Sequence, residues 1–313
     1  MTGSVLVTGG LGYLGGRILR HLKDQDVDHL RATTRRPLRQ TPPWAAGITT
    51  VQTDLDQPES LERACDGVDT VVHLAAMNAA ACAADPQSAQ EVNVEGTRNV
   101  AAAAERAGVR RLVYFSTAHV YSAPLSGRLC ETSPTTNTHP YAATHRAAED
   151  IVLQSSLPSL VFRLSNGFGA PVSAETDCWM LVVNDICRQV VTDRRIVLRG
   201  TGEEPRDFIP LSDVSRAISH FLGLAIDDWS GAIYNLGAGH TRSVLEMAEL
   251  IARRCDCLLG FRPDIERRQT DDGAAPPGLD FRIDKLRETG FSPEDDASNE
   301  IDGTLRLCRE AFG

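Results

Sequence analysis

Residues 4–20 read Ser4-Val-Leu-Val-Thr-Gly-Gly-Leu-Gly-Tyr-Leu-Gly-Gly-Arg-Ile-Leu-Arg20. A short apolar strand, Val5 to Val7, runs into a turn with glycines spaced Gly9-x-x-Gly12-x-x-Gly15, and a helix carrying apolar Leu14, Ile18 and Leu22 follows. Glycine at these positions lets the chain turn tightly and lets its backbone approach a pyrophosphate. The helix then aims its free N–H groups and its positive dipole end at the anion. The spacing is G-x-x-G-x-x-G rather than G-x-G-x-x-G. The strand–turn–helix context, more than the glycines alone, makes this a dinucleotide site.

Outward from that turn, β and α patterns alternate. Leu30–Thr34, Ile48–Val51, Thr70–Leu74, Arg111–Ser116 and Leu160–Leu164 read as strands. Helical stretches at Glu59–Cys65, Val92–Ala107 and Tyr141–Ser155 lie between them. Continuous apolar strands such as Thr70-Val-Val-His-Leu74 belong in a parallel sheet covered on both faces. The alternation therefore predicts an α/β fold with a doubly wound parallel sheet, residues 1–168 forming the dinucleotide-binding domain. After about Gly167 the pattern becomes irregular. Helices are expected at Asp177–Gln189, Leu211–Leu224 and Ser243–Arg254, with strands at Arg195–Leu198 and Ala232–Asn235. Residues 169–313 read mainly as a smaller α/β substrate-binding cap, with some segments returning to the sheet. Ligands of such folds sit at the carboxyl edge of the strands.

The 313 residues are 42% hydrophobic and 24% charged, with a formal net charge of −10. That composition is ordinary for a soluble globular protein, and the acidic balance argues against nucleic acid or an anionic membrane as partner. No apolar run is long enough to span a bilayer. The first strand starts within the first residues, which leaves no room for a signal peptide, so a cytoplasmic protein is expected. The eight cysteines are scattered and no metal site is expected. Cys255-x-Cys257 lacks zinc-ribbon spacing, and reduced thiols are the better reading.

Candidate chemistry follows the strand at 111–116, which ends in Ser116-Thr117-Ala118-His119, and begins again at Pro140-Tyr141-Ala-Ala-Thr-His145. The i, i+4 spacing puts Tyr141 and His145 on one helix face. A hydroxyl at a sheet edge, a phenol and a basic side chain make a proton-transfer set. A tyrosine with a pKa near 10 needs a neighbouring positive charge to act as a base at neutral pH.

With these residues in place, the chain resembles the extended short-chain dehydrogenase/reductases of the nucleotide-sugar epimerase/dehydratase type, which have a Rossmann fold. The matching elements occur in family order over nearly the whole length. They are Thr8 to Gly15, Asp54-Leu55, His73-Leu-Ala-Ala76, Asn93-Val-Glu-Gly-Thr97, Ser116 to Tyr121, Pro140-Tyr141, Arg163 to Gly169, Arg206-Asp-Phe-Ile209, Tyr234 to Gly239 and Asp280 to Leu286. The resemblance implies an NAD(P)-dependent enzyme with Thr117, Tyr141 and His145 as its catalytic residues. Gly9, Gly12, Tyr13, Leu14, Gly15, Asp54, Leu55, Leu74, Ala75, Ala76, Asn93 and Ser116 would hold the cofactor together with Tyr141 and His145. Asp54 and Leu55 would flank the adenine, and Asn93 would support the active-site helix. Thr117, Asn166, Arg206 and Arg268 would hold the substrate, the last three at positions that resemble those gripping a nucleotide diphosphate in relatives.

Two departures from the family pattern matter. His145 stands where the family has lysine. Histidine can still hydrogen-bond the nicotinamide ribose, but its ordinary pKa near 6.5 leaves it mostly neutral at pH 7. Its electrostatic help to Tyr141 is expected to be weak and to vary between roughly pH 6 and 8. The second departure is at the end of the second strand, Ala32-Thr-Thr-Arg-Arg-Pro37, which has no acid for the ribose hydroxyls. Arg35 is placed to meet a 2′-phosphate, which favours NADP over NAD without excluding NAD.

Family dehydratases carry an Asp-Glu pair where this chain has Ala118-His119, so loss of water is disfavoured. The first expectation is a nucleotide-sugar epimerase working through a transient keto sugar. One alternative is an NADPH-dependent keto-reductase of a sugar nucleotide or small carbonyl compound. Another is a catalytically weak NAD(P)-binding protein, made possible by His145. A different base, such as His119, is a further route to activity. Helices 92–107 and 141–155 resemble the pair through which relatives dimerise, so a homodimer is expected by analogy.

Overall fold

The apolar run Val5-Leu-Val7 forms the buried middle of strand β1 (Ser4–Thr8). The computed structural model describes residues 3–25, 27–35, 37, 40–229, 232–267 and 276–313. Within it, β2 (His29–Thr34) and β3 (Thr49–Gln52) continue on one side of β1, and β4 (Thr70–His73) and β5 (Arg111–Thr117) on the other. Strands Ser159–Leu164 and Ala232–Leu236 complete a seven-stranded sheet on the β5 side. β1–β5 and Ser159–Leu164 pair in parallel. All four residues of β4 are buried, as a strand covered on both faces requires. This is a Rossmann-like α/β fold.

The chain divides into two compact units. The first contains the residues up to Ala123, Glu131–Leu164 and Ser215–Asn235. Its core on one side of the sheet joins Leu6, Val71, Leu112 and Tyr114 to Val100, Ala104, Ala148 and Val152. Alanines along helix Gly96–Arg106 let neighbouring elements approach closely. The second unit contains Pro124–Cys130, Ser165–Val214 and Leu236–Gly313. Helices Val182–Asp193, Val244–Leu259 and Ala297–Phe312 enclose its core, which includes Ile186, Val190, Met247, Ile251, Ile301 and Leu305. Ser243 and Glu246 form a capping box at the start of Val244–Leu259, satisfying two backbone donors, and Gly260 ends the helix at φ +76°. A small sheet in this unit pairs Asn166–Phe168 with Pro205–Pro210, and Pro205–Pro210 with Thr241–Ser243.

Two expected helices differ in detail. The one expected at Asp177–Gln189 begins only at Val182. The preceding apolar residues belong to a turn, in which Trp179 Nε1 donates to the Ala174 carbonyl at 2.9 Å. The helix expected at Val92–Ala107 is interrupted: Gln90–Glu95 is π-helical, and regular α-helix runs from Gly96 to Arg106. There the Thr97 hydroxyl donates to the Asn93 carbonyl at 2.6 Å, occupying an acceptor within the helix. Among the described residues no helix is long and apolar enough to cross a membrane.

Candidate active site

The glycine turn is shaped by close approach. Gly9 has φ +64°, and its carbonyl accepts from Gly12 N at 2.9 Å. A Cβ on Gly15 would lie 2.5 Å from the Gly9 oxygen and 2.7 Å from Gly10 Cα, so only glycine lets helix α1 (Tyr13–Asp24) close onto the turn. No side chain caps the N-terminus of α1. The result is a backbone cradle at a helix start, a geometry that fits a pyrophosphate. Tyr13 and Leu14, the first two residues of α1, are partly buried.

Beside this turn, the Thr8 hydroxyl lies 2.6 Å from His73 Nδ1 and accepts from the amides of Leu74 and Ala75 at 3.1 and 3.2 Å. His73 Nε2 lies 3.0 Å from Thr97 Oγ1, whose proton already goes to the Asn93 carbonyl. His73 must therefore donate from Nε2 and accept at Nδ1 from Thr8. Burial holds its pKa down at about 3, which keeps the ring neutral. Leu74 and Ala75 are partly buried and Ala76 is exposed at the carboxyl end of β4. Arg35, just past β2, is exposed and its side chain has no partner among the described residues. Asp54 is exposed as well, whereas Leu55 packs into the core against Gly96.

Asn93 sits in the π-helical segment with its side chain fully engaged. Its Oδ1 accepts from Met77 N at 2.7 Å, and its Nδ2 donates to Thr144 Oγ1 at 3.0 Å. Asn93 thus buttresses helix Pro140–Gln154, the element that carries Tyr141 and His145. These two bonds fit a supporting role for Asn93.

Thr117, Tyr141 and His145 come together. The Thr117 hydroxyl accepts from His119 N at 3.2 Å and lies near enough to the Tyr141 phenol to lower its pKa. The Tyr141 ring meets the His145 ring edge-on, with centroids 4.5 Å apart. Burial pushes the Tyr141 pKa up, while the nearby Thr117 hydroxyl pulls it down. His145 is 4% exposed. Its Nδ1 lies 2.7 Å from the Tyr114 hydroxyl, and its Nε2 is buried without a partner among the described residues. Burial brings the His145 pKa down to about 4, so the expected titration between pH 6 and 8 does not occur and the ring is neutral throughout that window. Ala118 is buried and His119 exposed, and neither side chain carries a carboxylate.

Ser116 is buried behind these groups, its hydroxyl donating to Glu149 Oε1 at 2.6 Å. Glu149 also receives Arg163 through two bonds, Nε to Oε1 at 3.0 Å and Nη2 to Oε2 at 2.7 Å. The Arg163 guanidinium stacks over the Tyr121 ring at 4.9 Å. A fully paired buried ion pair of this kind fixes β5 to the helix and the neighbouring strand.

In the second unit, Asn166 and Arg206 occupy neighbouring strands. Asn166 Nδ2 donates to the Asp207 carbonyl at 2.9 Å. Arg206 is partly buried, its side chain having no hydrogen bond or ion pair among the described residues. It lines a cavity of about 290 Å³ together with Met180, Val197, Leu198, Arg199 and Gly200. Arg268 lies outside the described residues.

The model of the NAD dependent epimerase/dehydratase family matches residues 5–237. The chain belongs to that family. It is an enzyme family of the extended short-chain dehydrogenase/reductase type. The chain is 30% identical over 231 residues to the dTDP-D-glucose 4,6-dehydratase of Bos taurus, an alignment covering 71% of this chain and 62% of that relative. It is 29% identical to the UDP-glucose 4-epimerase of Azospirillum brasilense, covering 96% and 90%. The structure of the UDP-glucose 4-epimerase of Thermus thermophilus in complex with NAD superposes with a TM-score of 0.79 at 25% identity, covering 99% of this chain and 100% of that one.

Several residues that shape this family member's site escaped the sequence reading. Thr8 and His73 lie inside quoted motifs, but their mutual bond crosses from β1 to β4 and no spacing reveals it. Tyr114 sits in a strand whose period-two pattern places Leu112, Tyr114 and Ser116 on one face. That pattern signals a buried face. A phenol among apolar neighbours was the one available sign of a polar partner.

Proposed function

We propose that the protein is a nicotinamide-dependent nucleotide-sugar epimerase acting through a transient keto sugar. The observation that carries this reading is the Tyr141 ring set edge-on against the His145 ring, with the Thr117 hydroxyl near enough to lower the phenol's pKa. When bound, the nicotinamide ring supplies a place for hydride to go and return from. Tyr141 takes the proton of the reacting sugar hydroxyl and gives it back to the carbonyl oxygen. Thr117 holds that oxygen, and His145 offers a hydrogen bond to the nicotinamide ribose.

The dinucleotide is bound by the first 168 residues, along the glycine turn and the backbone of Leu74, Ala75 and Ala76. Residues 169–313 supply most of the substrate cap, with Ala232–Leu236 returning to the seven-stranded sheet. Arg206 there makes no hydrogen bond or ion pair among the described residues, with Glu204 as its charged neighbour, which leaves its guanidinium fork to offer to a nucleotide diphosphate, and Asn166 lies on the adjacent strand. UDP- and dTDP-sugars are the first candidates because relatives are named for them. The absence of carboxylates at Ala118 and His119 favours epimerisation over dehydration. The assembly proposed by analogy is a homodimer through helices Gly96–Arg106 and Pro140–Gln154.

A second reading, a keto-reductase, is favoured by Arg35, whose side chain has no partner among the described residues and suits the 2′-phosphate of NADP. The test is turnover on a panel of UDP- and dTDP-sugars, with the nicotinamide absorbance followed throughout. Interconversion of epimers with no net change in reduced cofactor, abolished by Tyr141→Phe, supports the epimerase. Cofactor consumption in proportion to product overturns it in favour of the reductase. Cofactor binding with no turnover at all leaves only a binding protein.

A further inference from the structure

The buried pair formed by Tyr114 and His145 lies within the site, yet the reaction as read above gives Tyr114 no part. Tyr114 is 2% exposed and His145 4% exposed, and each has the other as its hydrogen-bonding partner, at 2.7 Å. His145 Nε2 has none among the described residues.

Proton counting decides how this pair is arranged. If Tyr114 donates to Nδ1, the imidazole proton sits on Nε2, and that single N–H is left without an acceptor. If Nδ1 donates to the phenol, the phenolic proton and the bare Nε2 are both left unmet. If the ring is doubly protonated, the phenolic proton and the Nε2–H are unmet and a charge is buried as well. The first arrangement leaves the fewest orphaned groups.

The surroundings point the same way. His73 packs on Tyr114 from β4, with ring centroids 5.6 Å apart, and is itself neutral. Tyr141 faces His145 from the same helix. Glu149, one turn further along, is already committed to Arg163 and Ser116. None of these neighbours offers a free carboxylate to stabilise a charged His145, and burial pushes the Tyr114 phenol up so that it stays a donor.

We propose that Tyr114 is a positioning residue: its hydroxyl fixes His145 as the neutral tautomer whose Nε2–H is ready to donate to an oxygen of the bound ligand. Tyr114 and His145 then form one unit. The phenol does for a short, neutral side chain what length and charge do for lysine. The unmet Nε2–H is a donor held in waiting, oriented before any ligand arrives. This proposal rests on the reading of His145 as part of the active site.

The test combines spectroscopy with a mutant cycle. In protein labelled with ¹⁵N at histidine, His145 should show a protonated Nε2 and a bare Nδ1 from pH 5 to 8. Tyr114→Phe keeps the ring and deletes the donor, so it should give a mixture of tautomers. It should also weaken dinucleotide binding and turnover by about five- to tenfold, the effect of one ordinary hydrogen bond. In a His145→Ala background, Tyr114→Phe should have no further effect. A protonated Nδ1 in the unaltered protein, or titration of His145 near pH 6.5, overturns the proposal. So does an equal loss from Tyr114→Phe in both backgrounds, which would mark the phenol as packing alone. The tautomer is read without substrate, so a failed activity screen counts against the proposed function and leaves this inference to its own evidence.

Discussion

The hydroxyl of Thr8, at the end of β1, donates to His73 Nδ1 at the end of β4 across 2.6 Å. The same oxygen accepts from the Leu74 and Ala75 amides. One side chain therefore fixes a histidine tautomer and aims the backbone that follows β4. Thr8→Val keeps the shape but leaves His73 Nδ1 and two amides without this partner. We expect a loss of about 2–3 kcal/mol in unfolding free energy, the scale of buried polar groups deprived of their bonds. We also expect weaker dinucleotide binding, since the Leu74–Ala75 backbone is no longer held. Urea unfolding and a binding titration measure the two effects, and Thr8→Ser should restore most of both.

Much of this arrangement could be read from the chain, and the unread part has a common cause. The glycine turn, the strands and the Tyr141/His145 spacing are local patterns, set by residues within one or two turns of each other. The Thr8–His73 and Tyr114–His145 bonds join residues 65 and 31 positions apart. They depend on which strands lie side by side, which periodicity does not state. The family resemblance named His145 as a departure but not its environment. An exposed histidine would titrate near neutrality, and burial under β5 is what removes that behaviour. Asn93 is a similar case. Its motif marks the position, while the bonds to Met77 and Thr144 show that the amide braces the helix.

Burial of His145 makes stability depend on pH in a fixed direction. Its folded pKa is about 4, against an ordinary 6.5. Between these values the unfolded chain binds the proton and the folded chain does not, so stability is full above pH 6.5 and falls as the pH drops toward 4. The shift corresponds to roughly 3 kcal/mol for this one group. His73, held down to about 3, adds to the same trend. Urea unfolding at intervals from pH 7 to pH 4 should show a slope that becomes shallower in His145→Gln. An unchanged slope would mean that the imidazole is not neutralised by burial.

Replacing His145 by lysine separates charge from hydrogen bonding. Burial raises the Tyr141 pKa and His145 brings no charge to it, so activity should climb toward alkaline pH with no step from His145 between pH 6 and 8. His145→Lys sets a positive charge beside the phenol and should move that alkaline rise down by about 1–3 pH units. The check is the pH profile of kcat/KM for both proteins. Coincident profiles would show that position 145 does not act on Tyr141 electrostatically.

Arg35 offers the sharpest test of cofactor choice. It is exposed just beyond β2 with no side-chain partner among the described residues, and the end of that strand carries no acid to receive ribose hydroxyls. A guanidinium in this place gains a charge-assisted bond from a 2′-phosphate and nothing comparable from a 2′-hydroxyl. Arg35→Ala should therefore weaken NADP binding by about 10- to 100-fold, the scale of a hydrogen bond to a charged group, and leave NAD within about twofold. Calorimetric titration of both dinucleotides against both proteins measures the difference. Equal losses for NAD and NADP would show that Arg35 stacks on the adenine and does not read the phosphate.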